Sequence, residues 1–271
     1  MPQCKPPTSS LQSSRILRLL NERKSFLSIT PQRTFFSSSK QSLRYHPLPQ
    51  RPQSREFLGF LDKIPHNLVL YGIIGLNVAV FGMWLLTRQK YKLEGDPGPL
   101  IWMHQNFLSS WGNMKAGRVW TVITSCFSHQ DWGHILFNGV TFFFMAPAVL
   151  DLLKSRRFIF LYLGAGLASC TISLLYGHYI DRRDRPSQGA SGAIYGVVTF
   201  LACVAPTLTF QLYGIIPVPA WLLVSGAFSY DLYSTWVDKR GTTDTVGHIG
   251  GMFSGVLYYI LLRRAGTRFF Y

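Results

Sequence analysis

Acidic residues are scarce in this chain: twelve Asp and Glu stand among 271 residues, and only 14% of the sequence is charged. Soluble domains average about 25%. With a positive mean hydropathy, the shortage points away from a fully solvated fold and toward a membrane protein. Cysteine is rare too. The four cysteines, Cys4, Cys126, Cys170 and Cys203, lack the paired short spacing of a zinc site. Cys170 and Cys203 fall inside apolar runs, where a thiol behaves as a small hydrophobe, so neither a disulfide framework nor a metal site is expected, and no cofactor. Outside the N-terminal stretch there is no basic groove studded with aromatics, which makes nucleic acid a poor partner. Internal repeats and paired broken spans are also missing, which counts against a channel or transporter.

What the chain does have is long hydrophobic runs. Six fall near 67–87, 134–153, 158–177, 190–206, 211–230 and 246–262, each close to the roughly 20 residues that cross a bilayer. Pro217 and Pro219 make the limits of the fifth run irregular. Between the first two runs, residues 88–130 carry Trp102, Phe107, Trp111 and Trp120 among Gly and Pro, a composition suited to the membrane interface rather than to a span. The expected fold is therefore an all-α membrane protein: residues 67–262 form a six-helix bundle with an interfacial first loop, and 263–271 a basic tail.

The charge that exists is placed unevenly. Residues 1–66 hold eleven Lys/Arg against three acids. Residues 1–45, rich in Ser and Arg with Glu22 as their one acid, have the composition of a mitochondrial transit peptide, either disordered or cleaved, and 46–66 read as a linker. Arg33-Thr34-Phe35-Phe36 resembles a matrix-processing site. A disordered cytosolic tail is the bland alternative; no unbroken apolar core supports a secretory signal. The N-terminus, the Lys154-Ser155-Arg156-Arg157 loop and the tail with Arg263, Arg264 and Arg268 place positive charge on one side. That side is read as inside.

With this orientation the second, fourth and sixth runs all enter from outside, and each opens on unusual polar residues. The second begins His129-Gln130-Asp131-Trp132-Gly133-His134, with Asn138 one turn after His134; the fourth begins Gly189-Ala190-Ser191-Gly192, with Tyr195 one turn on; the sixth begins Gly247-His248. Polar groups inside a span are costly and mark function by default. Serine near histidine reads as nucleophile and general base. Asn138 and His134 are candidate donors to an oxyanion, beside backbone N–H groups at the start of the fourth run. Tyr195 is placed to stack on His248. Gly192 with Gly196, and Gly251 with Gly255, are small-xxx-small pairs that allow close helix approach. No carboxylate falls within either of the two runs that carry Ser191 and His248, so a two-residue pair is expected. Asp131 reads as a cap. Taken singly, Ser191 also suits a packing position and His248 a satisfied interhelical donor. His129 reads as structural; a zinc site at His129 and His134 would lack its other ligands.

Gly189-Ala190-Ser191-Gly192 with Tyr195, His248 with Gly251 and Gly255, and His129, His134 and Asn138 in that order together resemble the rhomboid family of intramembrane serine proteases, over roughly 67–262. The resemblance implies a Ser191–His248 catalytic dyad, with His134, Asn138 and Gly189 supporting the oxyanion site. It also implies endopeptidase action in or next to transmembrane segments of single-span or other membrane proteins. Many members carry Trp-Arg in the first loop; here the chain reads Arg118-Val119-Trp120. With the transit-like N-terminus, the resemblance is to mitochondrial rhomboids, which implies an inner-membrane location with the site toward the intermembrane space. Some of those have an extra span before the core, for which the six runs leave no room. Relatives that have lost proteolysis typically lack the serine or the histidine, and both are present here.

Overall fold

The computed structural model describes residues 58–212, 215–238 and 243–269. The transit-like segment, its processing site and most of the linker lie outside the described residues. Helix α1 (His66–Glu94) starts after Pro65, whose extended backbone suits a helix boundary, and ends at Gly95 with φ 71°. It outlasts its apolar run by two turns: Arg88, Lys90, Lys92 and Glu94 are good helix formers, and only a residue with positive φ stops it. The following segment folds into short helices, α2 (Gly98–Phe107), α3 (Trp111–Lys115) and α4 (Thr121–Thr124), with a 3₁₀ turn at Ser125–Phe127. Trp84 of α1 is fully buried against this layer with Met103 and Leu108. Its indole N–H donates to Ser128 Oγ at 2.8 Å.

Helix α5 (Trp132–Tyr176) holds the second and third apolar runs. Its backbone breaks at Lys154, where φ is 63° and ψ 168°, so the basic loop expected there is a one-residue corner between two arms. Ser155 Oγ donates to Ile64 O at 2.6 Å, and Arg156 pairs with Asp62 at 3.0 Å. These bonds tie the corner to the 3₁₀ turn before α1.

Helix α6 (Ser191–Val204) is central: ten of its fourteen residues are buried. An all-round apolar helix belongs inside other helices, and Phe142, Phe158, Tyr162, Phe200 and Leu201 are among those that surround or fill it.

The fifth run is corrected by the structure, which stays mostly helical but begins that run as strand. Its first part forms an antiparallel hairpin, β1 (Thr209–Leu212) with β2 (Ile216–Pro219), in which Gln211 faces Pro217. Helix α7 (Ala220–Trp236) starts only after Pro219 and runs past Tyr230. Proline lacks the N–H a helix interior needs but is tolerated in an edge strand or just before a helix. Helix α8 (Thr245–Arg264) completes the bundle, capped by Asp244, which accepts from Gly247 N at 2.8 Å. Among the described residues, three stretches are long and apolar enough to cross a membrane: His66–Glu94, Trp132–Asp181 and Thr245–Arg264. Ser191–Val204 is a shorter apolar helix.

In lipid, apolar burial drives helices together weakly, and close backbone packing takes its place. That packing is concentrated where α6 meets α8 and the second arm of α5. A Cβ on Gly251 would fall on the Gly192 backbone, and one on Gly255 on the Gly196 backbone. On the other side, Gly192 faces Ser169 and Gly196 faces Ala165.

Candidate active site

Ser191 is the first residue of α6, and the helix begins there for a local reason. Gly189 has φ 122°, a backbone closed to L side chains, and a Cβ there would lie 2.7 Å from His134 Cε1. Its N–H donates to Ser125 O at 2.9 Å, which fixes the approach to the helix. Ala190 offers no side-chain cap, so the first N–H groups of α6 are unclaimed by any capping side chain, and they stand at the positive end of the helix dipole.

His248 sits one turn into α8. Asp244 holds that end of the helix on three sides. Besides capping it, Asp244 accepts from Ser173 Oγ of α5 at 2.8 Å and from Ser187 Oγ at 2.5 Å, in the loop that leads to Ser191. The helix bearing the histidine and the loop leading to the serine thus share one carboxylate. His248 Nε2 lies 2.8 Å from Ser191 Oγ. The Tyr195 ring stacks on the imidazole, with centroids 4.3 Å apart and planes 14° apart. The imidazole Nδ1 lies 3.1 Å from Asp231 Oδ2.

On α5, Asp131 caps the helix through His134 N at 2.7 Å. His129 is fully buried. Its Nε2 accepts from Asn138 Nδ2 at 3.0 Å and from Ala190 N at 3.4 Å. Two donors on one nitrogen assign the proton to Nδ1, which has no protein partner among the described residues. Burial pushes the His129 pKa down to about 4, and repulsion from His134 adds to this against the weaker pull of Asp131. The ring is therefore neutral near pH 7. His129 and His134 meet edge to face at 4.8 Å between centroids.

The structure brings Ser191, His248 and Tyr195 into direct contact and sets His134 against Gly189. Asn138 is engaged with His129, and no hydrogen bond joins Asn138 or His134 to Ser191 among the described residues. The residue that sequence reasoning missed is Asp231. It was legible as an acid inside an apolar segment, but a fifth run ending at Tyr230 left it outside.

Geometry of this kind, a hydroxyl on an imidazole beside unclaimed N–H groups, can carry out acyl transfer. A family model described as the Rhomboid domain matches residues 116–265. Among curated proteins, the chain is 28% identical over 232 residues to "RHOMBOID-like protein 12, mitochondrial" of Arabidopsis thaliana, covering 80% of this chain and 65% of that protein. It is 30% identical over 202 residues to "Rhomboid protein 1, mitochondrial" of Saccharomyces cerevisiae, covering 72% and 53%. To "Rhomboid protease GluP" of Bacillus subtilis it is 28% identical over 139 residues, or 51% and 25%. The chain thus spans less than two thirds of the length of these relatives. With the domain matched across more than half of the sequence, the chain belongs to the rhomboid family.

Proposed function

We propose that this protein is an intramembrane serine endopeptidase, cleaving peptide bonds in or next to transmembrane segments of membrane proteins with Ser191 as nucleophile and His248 as base. The observation that carries the reading is the 2.8 Å contact of Ser191 Oγ with His248 Nε2. Ser191 Oγ attacks the carbonyl carbon while its proton passes to His248 Nε2. The oxyanion is met by the first N–H groups of α6, supported by Asn138 and His134. The C–N bond breaks as His248 gives the proton to the leaving amine. Water then loses a proton to His248 as its oxygen attacks the acyl carbon, and the ester breaks with that proton returning to Ser191.

A bilayer setting follows from the same elements. In this reading the two arms of α5, with α1, α6, α7 and α8, are the six spans of a domain covering 67–262, and α2 to α4 lie at the interface. At about 1.5 Å per residue, α6 is about 21 Å long, shorter than the roughly 30 Å hydrocarbon core. A span that short leaves its N-terminus below the outer surface, where water reaches Ser191 from one side. Residues 1–45 act as the transit segment, 46–66 as linker and 263–271 as basic tail. The mitochondrial names of two relatives support a mitochondrial location, which this reading places in the inner membrane, and the positive charge of the N-terminus, corner and tail supports a site facing the intermembrane space. Labelling the full chain in detergent or bilayers with a serine-reactive fluorophosphonate tests the reading. Wild type should label and Ser191→Ala should not; equal labelling would refute it.

A further inference from the structure

Of the seventeen residues of α7, the buried ones are Ala220, Asp231 and Ser234. Tyr230, Leu232 and Tyr233 around them are largely exposed. The helix thus turns its apolar side chains outward and an acid inward, the reverse of a water-soluble helix. Asp231 is 1% exposed. A buried carboxylate is retained only where a partner compensates its lost hydration, and its hydrogen-bond partner among the described residues is His248 Nδ1, at 3.1 Å. The register is held a second time. Thr235, one turn after Asp231, meets Thr245, one turn before His248, with Oγ1 atoms 2.7 Å apart.

Resting on the Ser191–His248 reading, we propose that Asp231 is a positioning residue: it holds His248 in the Nδ1–H tautomer and stabilises the imidazolium formed when Ser191 loses its proton. The two ring nitrogens face opposite partners. A carboxylate can only accept, so Nδ1 must donate to it, and Nε2 is left with the lone pair that takes the Ser191 proton. Tyr195 fixes the ring face and Asp231 its edge, so the imidazole is constrained in both tilt and rotation. The buried negative charge then faces the positive charge that develops on the ring.

The test uses the full chain in detergent and follows saturable fluorophosphonate labelling, which separates maximal rate from half-saturation, together with the melting temperature. Asp231→Asn keeps the shape but also allows the opposite tautomer. Its maximal labelling rate should fall about 10²- to 10⁴-fold, with half-saturation and melting near wild type. Asp231→Glu should recover part of the rate. Thr235→Val, which loosens α7 from α8 without touching the ring, should lower melting more than rate. A wild-type maximal rate in Asp231→Asn would overturn the inference while leaving the protease reading intact. So would equal losses of rate and melting in Asp231→Asn and Thr235→Val, which would make Asp231 a mere anchor. A wild-type chain that shows no Ser191-dependent labelling would overturn the protease reading and this inference with it.

Discussion

A serine side chain is short, so its proton can leave only toward a base already within about 3 Å. Ser191→Ala and His248→Ala should therefore each abolish cleavage of a single-span reporter without preventing membrane insertion, since nucleophile and base act as a unit; full activity in either variant would remove the mechanism. Asn138→Ala should cost on the order of 10²-fold, because one supporting donor is lost while the helix N–H groups remain. An unchanged rate would assign Asn138 to packing on His129. That histidine also predicts an acid sensitivity. Its folded pKa is about 4 against an ordinary value near 6.5. Above pH 6.5 both states are neutral and stability is complete. As pH falls from 6.5 toward 4 the unfolded chain takes up a proton that the fold refuses, so stability drops by at most about 1.4 kcal/mol per pH unit. Melting in detergent should decline across that window, less steeply in His129→Gln; equal slopes would place the sensitivity elsewhere. Ser191, His248 and Tyr195 could be picked out from the sequence as polar groups at helical spacing within apolar runs. The engagement of Asn138 with His129 could not, because it depends on where the loop before α5 folds back.

Helices in lipid meet by shape, and here the shape is made of glycine. Gly251 and Gly255 lie against the backbone of Gly192 and Gly196, so α6 and α8 cross without intervening side chains. Gly255→Val would press its branch onto the Gly196 carbonyl, which no rotamer change can relieve. The helices should part by the order of an ångström, and a shift of about 1 Å at the reacting pair can cost roughly a hundredfold in rate. Reporter cleavage and melting should fall together while insertion is kept, because the change adds only apolar atoms. Unchanged turnover and melting would show that this crossing does not set the Ser191–His248 distance. At this scale the helix periods, the Asp131 cap and the small-residue pairs were readable from local pattern. The hairpin was not: residues 211–219 are apolar enough to extend a span, and only the two prolines argue against helix there. Misplacing that boundary is also what hid Asp231, since it turned an acid in mid-helix into one at a helix end.

Across the whole molecule, the two sides of the bundle are built differently. The Lys154 corner, the Arg156–Asp62 pair and the tail with Arg263 and Arg264 gather at one end of the helices. At the other, Arg183 and Arg185 reach Asp238 at 2.8 and 3.1 Å, joining the loop after α5 to the end of α7. If the first side faces the matrix, a tag added after Tyr271 should resist protease in mitochondria whose outer membrane alone is opened. Digestion of the tag with the inner membrane intact would reverse the orientation. The sequence by itself determined the solvent the protein is built for, the helices that repeat its apolar pattern, and the polar residues too costly to bury without purpose, because each of these is set by composition and by spacing within one element. Only the tertiary structure decided which of those polar residues meet. Ser191 and His248 are 57 positions apart, and their contact depends on a crossing distance fixed by glycine backbones. Asp231 reaches the same imidazole from a third helix, whose start and register follow from the hairpin before it, and no pattern within a single element encodes that arrangement.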